Sequence, residues 1–411
     1  MRRAPQLALP LAAVLALAAC GESLQPTSGA WTQVVAGDLF TCALARDASA
    51  WCWGQGSLGQ LGNHATIAQT TPVQVAGGIA FRSLAAGDSH VCGVSAAGAA
   101  WCWGYDDYGE LGLETGACNN NIPFFRCSDV PVAVPGAPPL DSIVAAAFTT
   151  CGLAMDGAAW CWGLNDHGQL GTGSAVGVAT ESPARVVGGL AFRAITLDVN
   201  HACAVTTGAA LYCWGSNDFG QLAADTLLTP RCGGGVGFYC AISPVASAAG
   251  LVTAAVSAGK THTCALAPGG AAYCWGSNEF GVLGNPSASG GSAPVRVAGS
   301  SVFTQLSSGA DHTCAVDTAG QAWCWGLDTF GQLGNASVMD ACPAFGNVQV
   351  CATSPAPVQG APVFSAISAG SGHSCGLTPV GEIWCWGRGA EGQLGDGSST
   401  SSEAPVRVAR P

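Results

Sequence analysis

Apolar residues in this chain come in short runs. From Phe81 to Gly104 there are three of them, Phe81 to Ala86, His90 to Val94 and Ala99 to Gly104, parted by Gly, Ala, Ser and Asp turns and preceded by a proline-led run, Pro72 to Val75. Runs of this length between turn residues read as strands. The same order returns along the chain. The stretch from Asp311 to Asn335 has close copies starting near Leu39, Ser89, Phe148, Asn200, Thr261 and Gly372, which makes seven units between Trp31 and the C-terminus. A period of about 50 to 60 residues marks a repeat architecture, in which each unit leaves an apolar face that a neighbour must cover.

Cysteine spacing sharpens the strand reading. One pair per unit is separated by ten residues: Cys42 and Cys52, Cys92 and Cys102, Cys151 and Cys161, Cys203 and Cys213, Cys264 and Cys274, Cys314 and Cys324, Cys375 and Cys385. If Cys314 faces Cys324 in an antiparallel pair, Ala315 faces Trp323, Val316 faces Ala322, and Thr318 to Gly320 form a three-residue hairpin loop. Such a loop wants glycine in the left-handed conformation at its third position, which Gly98, Gly157, Gly270, Gly320 and Gly381 supply, with Ala48 and Ala209 the exceptions. Cross-strand disulfides are therefore expected. Three further pairs, Cys118 with Cys127, Cys232 with Cys240 and Cys342 with Cys351, bracket insertions. Zinc needs four ligands from short spacings such as C-x-x-C, which are missing, so no metal is expected.

Twelve of the thirteen tryptophans flank the second cysteine of a unit, on the strand face opposite the disulfide. The proline-led run follows each W-G-x4-G-x-L segment; the first unit begins at Trp31 without one, and the last, Pro405 to Val408, has no unit after it. The expectation is an all-β, seven-bladed β-propeller of four-stranded blades, closed by the C-terminal strand completing the first blade.

The repeated HTCAL of His262 to Leu266, WCWG of Trp323 to Gly326 and GQLG of Gly331 to Gly334 resemble the regulator of chromosome condensation repeat family. That resemblance covers about Trp31 to Pro411 and implies a seven-bladed propeller. Known family functions diverge between guanine-nucleotide exchange on a small GTPase with chromatin binding, and secreted inhibition of β-lactamases. The repeated residues are framework common to both. Cysteine in both hairpin strands departs from the eukaryotic pattern and fits an exported bacterial branch.

Composition adds a compartment. Met1-Arg2-Arg3, the apolar Leu7 to Ala16 and Leu17-Ala18-Ala19-Cys20 form a signal sequence over residues 1–19 whose end resembles the bacterial lipobox. Cys20, the one cysteine without a mate, is then the lipidated N-terminus, residues 20–30 a polar tether, and residues 31–411 the propeller, attached to the cell envelope and facing the periplasm or the exterior. A net charge of −12 with a single lysine, Lys260, works against nucleic acid as a partner.

Candidate chemistry is sparse. His90, His201, His262, His312 and His373 recur two residues before a cysteine, but Phe40 and Thr149 interrupt them, so packing explains them better than a metal ring. Asp106, Asp107 and Glu110 lie in a W-G-x4-G-x-L turn, where acidic residues satisfy backbone amides more readily than calcium. No motif points to catalysis or to a cofactor. What differs between units is the insertions, which display Phe124, Phe125 and Arg126, Phe238 and Tyr239, and Phe345. Aromatics and arginine are what interface centres are made of. The expected function is a non-catalytic binding module for a protein or glycan outside the cytoplasm. An exchange-factor-like regulator, an inhibitor of an exported enzyme, and a propeller hydrolase or lyase are the alternatives.

Overall fold

A computed structural model describes residues 30–410, apart from 120–121, 175, 225–231, 233–236, 249, 338–339 and 345–346. It is all-β: seven antiparallel sheets follow one another along the chain as the blades of a propeller. Blade one shows the plan. Strand β1 (Trp31–Ala36) lies at the axis, followed outward by β2 (Phe40–Ala45), β3 (Ala50–Gly54) and β4 (Gln69–Gln74), in the order β1-β2-β3-β4. β2 is buried at every residue, because both its faces meet neighbouring blades, whereas β4 is largely accessible at the rim.

The central hairpin has the register that the ten-residue spacing predicts. Cys314 opposes Cys324, Ala315 opposes Trp323 and Val316 opposes Ala322. Gly320 takes a φ of 80° at the turn, and Ala48 and Ala209 adopt the same left-handed geometry at 68° and 65°. Alanine there accepts a conformation glycine enters without strain. The seven hairpin cysteine pairs are placed in disulfide geometry with Cα atoms 4.0 to 4.1 Å apart. Cys118 with Cys127, Cys232 with Cys240 and Cys342 with Cys351 are likewise joined.

The expected closure is not the one found. The strand Ser402–Arg407, which carries Pro405, pairs with Ile383–Gly387 of its own blade, with Trp384 opposite Arg407. Blade one needs no help, since β4 pairs with β3, Trp51 opposite Gln74. Each proline-led strand is thus the outer strand of the blade before it, not the first strand of the blade after it. The long loop from Gly54 to Gln69 folds back between blades and returns this strand to its sheet. Ring closure is left to side chains and loops: Trp31 N donates to Gly381 O at 2.9 Å, and Trp31, Val34 and Trp53 pack with Leu377, Ile383 and Leu394.

Blades stack through the second tryptophan of each W/Y-C-W segment. Trp53, Trp103, Trp162, Trp214, Trp275, Trp325 and Trp386 are all fully buried. Each removes roughly 200 Å² of surface from water, on the order of 5 kcal/mol before conformational entropy is counted. In blades two and six the insertion lengthens the outer strand to Ile122–Ala133 and Asn347–Pro357, and adds a fifth strand outside it, Ala117–Asn119 and Asp340–Ala344.

Candidate binding face

The innermost strands carry small residues where they line the axis, among them Ala36, Ala86, Ala146, Ala258 and Ala369, and they enclose a channel of about 620 Å³ touched by all seven blades. Each innermost strand rises to one face, which we call the mouth, and turns there into the next strand. The turns meet in a tight neck. A side chain on Gly37 would lie 2.7 Å from the carbonyl oxygen of Gly87, its counterpart in blade two.

The same turns present charge. Asp38, Asp88, Asp198, Asp311 and Lys260 line the channel with Arg388. Burial pushes Asp88 up to about 6, with Asp38 adding to the effect and Lys260 opposing it. Burial raises Asp198 well above the usual carboxylate range, with Asp88 and Asp311 contributing and the Val199 amide opposing. Asp38 and Asp311 are raised too, chiefly by burial; Ser371 and Arg388 counter the first, Lys260 the second. The mouth is therefore short of cations for the carboxylates it holds.

Around it stand aromatic rings. The fourth residue after W-G is Tyr108, Phe219 or Phe330 in blades two, four and six, and each is exposed. Tyr108 packs on Phe148 at 5.3 Å, and the Arg388 guanidinium lies 5.2 Å from the Phe330 ring. The three cysteine-bracketed insertions arise from the same loops. Phe124, in the strand Ile122–Ala133, is 89% exposed. Phe125 leans on Tyr105, with centroids 5.9 Å apart. Arg126 is a brace: its guanidinium bonds Glu181 of blade three at 2.8 Å and the carbonyl of Asp107 at 3.0 Å. Phe238 and Tyr239 are half-buried. Phe238 stacks 4.1 Å from His167, and Tyr239 N donates to Asp218 at 2.8 Å. Phe345 and Cys20 lie outside the described residues.

The turn acids have local duties. Asp106 accepts from Leu111 N at 3.0 Å and from Thr115 Oγ1 at 2.7 Å, and Asp107 accepts from Arg126 N at 2.6 Å. Glu110 accepts from Tyr108 N at 2.9 Å, as Gln169 does from His167 N at 2.8 Å. Burial pushes Glu110 up to about 8, at a position that five of the other six blades fill with glutamine.

The histidines are inter-blade joints. His90 Nε2 lies 2.9 Å from Thr150 Oγ1 in the next blade, and that hydroxyl donates to the carbonyl of Glu110 at 3.0 Å. The same carbonyl accepts from Trp162 Nε1 at 2.8 Å. Because the threonine proton is committed, the imidazole must be the donor to its oxygen, protonated at Nε2 and bare at Nδ1. His201 with Thr263, His312 with Ser374 and His373 with Thr41 repeat the arrangement, and His262 pairs with Thr313. Where the histidine is replaced by Phe40 or Thr149, the next blade offers Val91 or Ala202 and no hydroxyl. Burial lowers these imidazoles to about 3 or 4, keeping them neutral. Among the described residues no three His, Cys, Asp or Glu side chains are grouped to hold a metal.

Sequence reasoning missed the charged turns and the aromatic rim. Their signal was positional: Asp38, Asp88, Lys260 and Ser371 all stand two residues before the Phe or His that opens the next strand.

Comparison with known proteins agrees with this architecture. The chain is 27% identical over 259 residues to the ultraviolet-B receptor UVR8 of Arabidopsis thaliana, covering 62% of this chain and 54% of that one. It is 30% identical over 267 residues to the mitochondrial RCC1 domain-containing protein RUG3 of the same plant, covering 62% and 56%. The chain thus spans about half the length of these relatives. Yeast RCC1 (Prp20), solved bound to Kap60, superposes with a TM-score of 0.75 at 18% identity over 100% of this chain and 91% of that one. Human WBSCR16 superposes with a TM-score of 0.68 at 18% identity, over 83% and 84%. Models of the regulator of chromosome condensation (RCC1) repeat match residues 47–94, 156–205, 269–316, 319–377 and 380–411, and a second such model matches a segment of every blade from 31–60 to 364–393. The chain belongs to the RCC1 repeat family.

Proposed function

We propose that this propeller is an exported, lipid-anchored and non-catalytic binding module that takes a protein partner on its mouth face. The observation that carries the proposal is the gathering of the exposed aromatics Tyr108, Phe124, Phe219 and Phe330 with the disulfide-bracketed insertions around one opening. A rigid ring lowers the entropic cost of presenting those side chains. A protein rather than a glycan is favoured by the relatives: yeast RCC1 was solved bound to Kap60, and Prp20p from Saccharomyces cerevisiae has binding properties toward Gsp1p and histones. Export and anchoring are supported by the Leu17-Ala18-Ala19-Cys20 segment and by the ten cysteine pairs, which suit an oxidising compartment.

The test is crosslinking in intact cells, comparing the native protein with Phe124→Ala, Phe219→Ala and Phe330→Ala combined. Loss of the partner adduct at unchanged thermal stability is expected. An adduct that survives, but disappears on Val302→Ala with Val363→Ala, would move the binding site to the opposite face.

A further inference from the structure

The face opposite the mouth differs from it in charge and in the kind of apolar residue it exposes. Every described arginine except Arg126 and Arg388 is on that side, at the hairpin turns, the starts of innermost strands or the lower ends of outer strands. Of the described acids only Asp47, Asp141, Asp156, Asp317 and Glu382 are there. Arg82 pairs with Asp141 at 3.8 Å, and Arg407 and Arg410 share Glu382. Arg46, Arg185, Arg193 and Arg296 have no ion-pair partner among the described residues. The exposed apolar side chains are aliphatic: Met155, Val252, Val302, Val363 and Val380. The described chain also enters here, since β1 begins at Trp31 on this face, hydrogen-bonded to Gly381.

We infer that this face lies against an anionic bilayer surface, with the channel mouth turned away from it. Nine residues lie between Cys20 and Ala30, a tether of at most about 35 Å, so an acyl chain on Cys20 holds this face nearer the bilayer than the other. The unpaired arginines are attracted by a negative surface potential, and the carboxylate-rich mouth is repelled by it. A diacylated cysteine is enough to hold the chain at a bilayer, and the basic surface adds the attraction that sets which face turns toward it. The inference takes its tether from the anchoring proposed above, but the face makes a prediction of its own.

The experiment uses the full chain purified from membranes, with a photo-crosslinking phenylalanine analogue at Val302 or Val363 on one face, or at Phe219 or Phe330 on the other. Each is mixed with phosphatidylglycerol vesicles, and the mass of residue 20 is read in the same preparation. Lipid adducts at Val302 and Val363 only are expected. Arg193→Gln with Arg296→Gln should cut the yield about fivefold per arginine. Adducts at Phe219 or Phe330, or at neither pair, on a protein acylated at Cys20 overturn the inference and leave anchoring intact. Adducts at Val302 and Val363 on an unacylated protein sustain the face and overturn the anchor. An unacylated protein without adducts overturns both.

Discussion

His373 Nε2 lies 2.8 Å from Thr41 Oγ1, a residue 332 positions away in the sequence, and this pair belongs to the seam where the last blade meets the first. The Thr41 hydroxyl donates to Gln393 O at 2.9 Å, and Trp53 Nε1 donates to the same oxygen at 2.9 Å. The joint matches those within the ring, as between His201, Thr263 and Gln221. Closure is one more repetition of an ordinary contact.

Thr41→Val removes the acceptor of a buried N–H and should cost about 1 to 3 kcal/mol. Thr263→Val, at an internal seam, should cost the same within error. The double change His373→Phe with Thr41→Val, which copies the Phe40 and Val91 seam, should recover part of the loss. Denaturant midpoints of the singles and the double give the coupling. A far larger loss at Thr41 than at Thr263 would show that closure relies on something the other seams lack.

The five buried histidines contribute stability that is lost in acid. Folded imidazoles sit at about 3 for His262 and His373 and about 4 for His90, His201 and His312. Unfolded ones titrate near ~6.5. Between those limits the unfolded chain binds more protons, so the histidine contribution is whole above ~6.5 and is lost as pH falls toward the folded values. Asp88 and Asp328, pushed up to about 6, act in the opposite sense: their contribution is present below the ordinary carboxylate value and lost as pH rises through about 6. Relative to the native profile, Asp88→Asn should therefore cost more stability in acid than at neutral pH, and His373→Phe with Thr41→Val should shift the profile the other way. Unfolding midpoints across this range decide; parallel profiles for all three proteins would sink the assignment.

Glu110→Gln should stabilise the fold. A carboxyl raised to about 8 contributes fully below its unfolded value near 4.5 and loses that contribution as pH rises through about 8. Glutamine keeps the acceptor for Tyr108 N and has no proton to lose. The gain is about 3 kcal/mol at neutral pH, rising in alkali and vanishing in acid. A gain independent of pH would mean that the carboxylate is not the cause.

Gly309→Ala tests the neck of the channel. A methyl group there meets the carbonyl of Gly370 and the His312 ring, so overpacking should cost about 1 to 3 kcal/mol. Gly116→Ala, with open space around it, is the control. Equal thermal midpoints for the two variants would show that the turns yield more than their spacing suggests.

The hairpin was legible because two constraints coincided: ten residues between cysteines and a residue able to turn left-handed at Gly320. The phase of the blades was not. Pro72 lies closer in sequence to Phe81, its neighbour in the next blade, than to Cys52, which opposes Val73. Linear proximity favoured the wrong partner, because the intervening loop doubles back through space. The mouth was hidden for a related reason. Asp198 and Asp311 are displaced by one residue from the position of Asp88 and Lys260, so alignment of the units blurs a ring that only the closed structure brings together. Arg126 shows a further limit, since its sequence context marked an exposed insertion and gave no sign of Glu181 across the blade boundary.

Because each sheet is made from one uninterrupted segment, the ring has no privileged beginning. A chain recut to start at Gly78 and end at Gly77, with the old termini joined, would contain the same seven sheets and seams, and no strand would be orphaned. The molecule is a bracelet of complete links, in which the last link is fastened by the same catch as all the others.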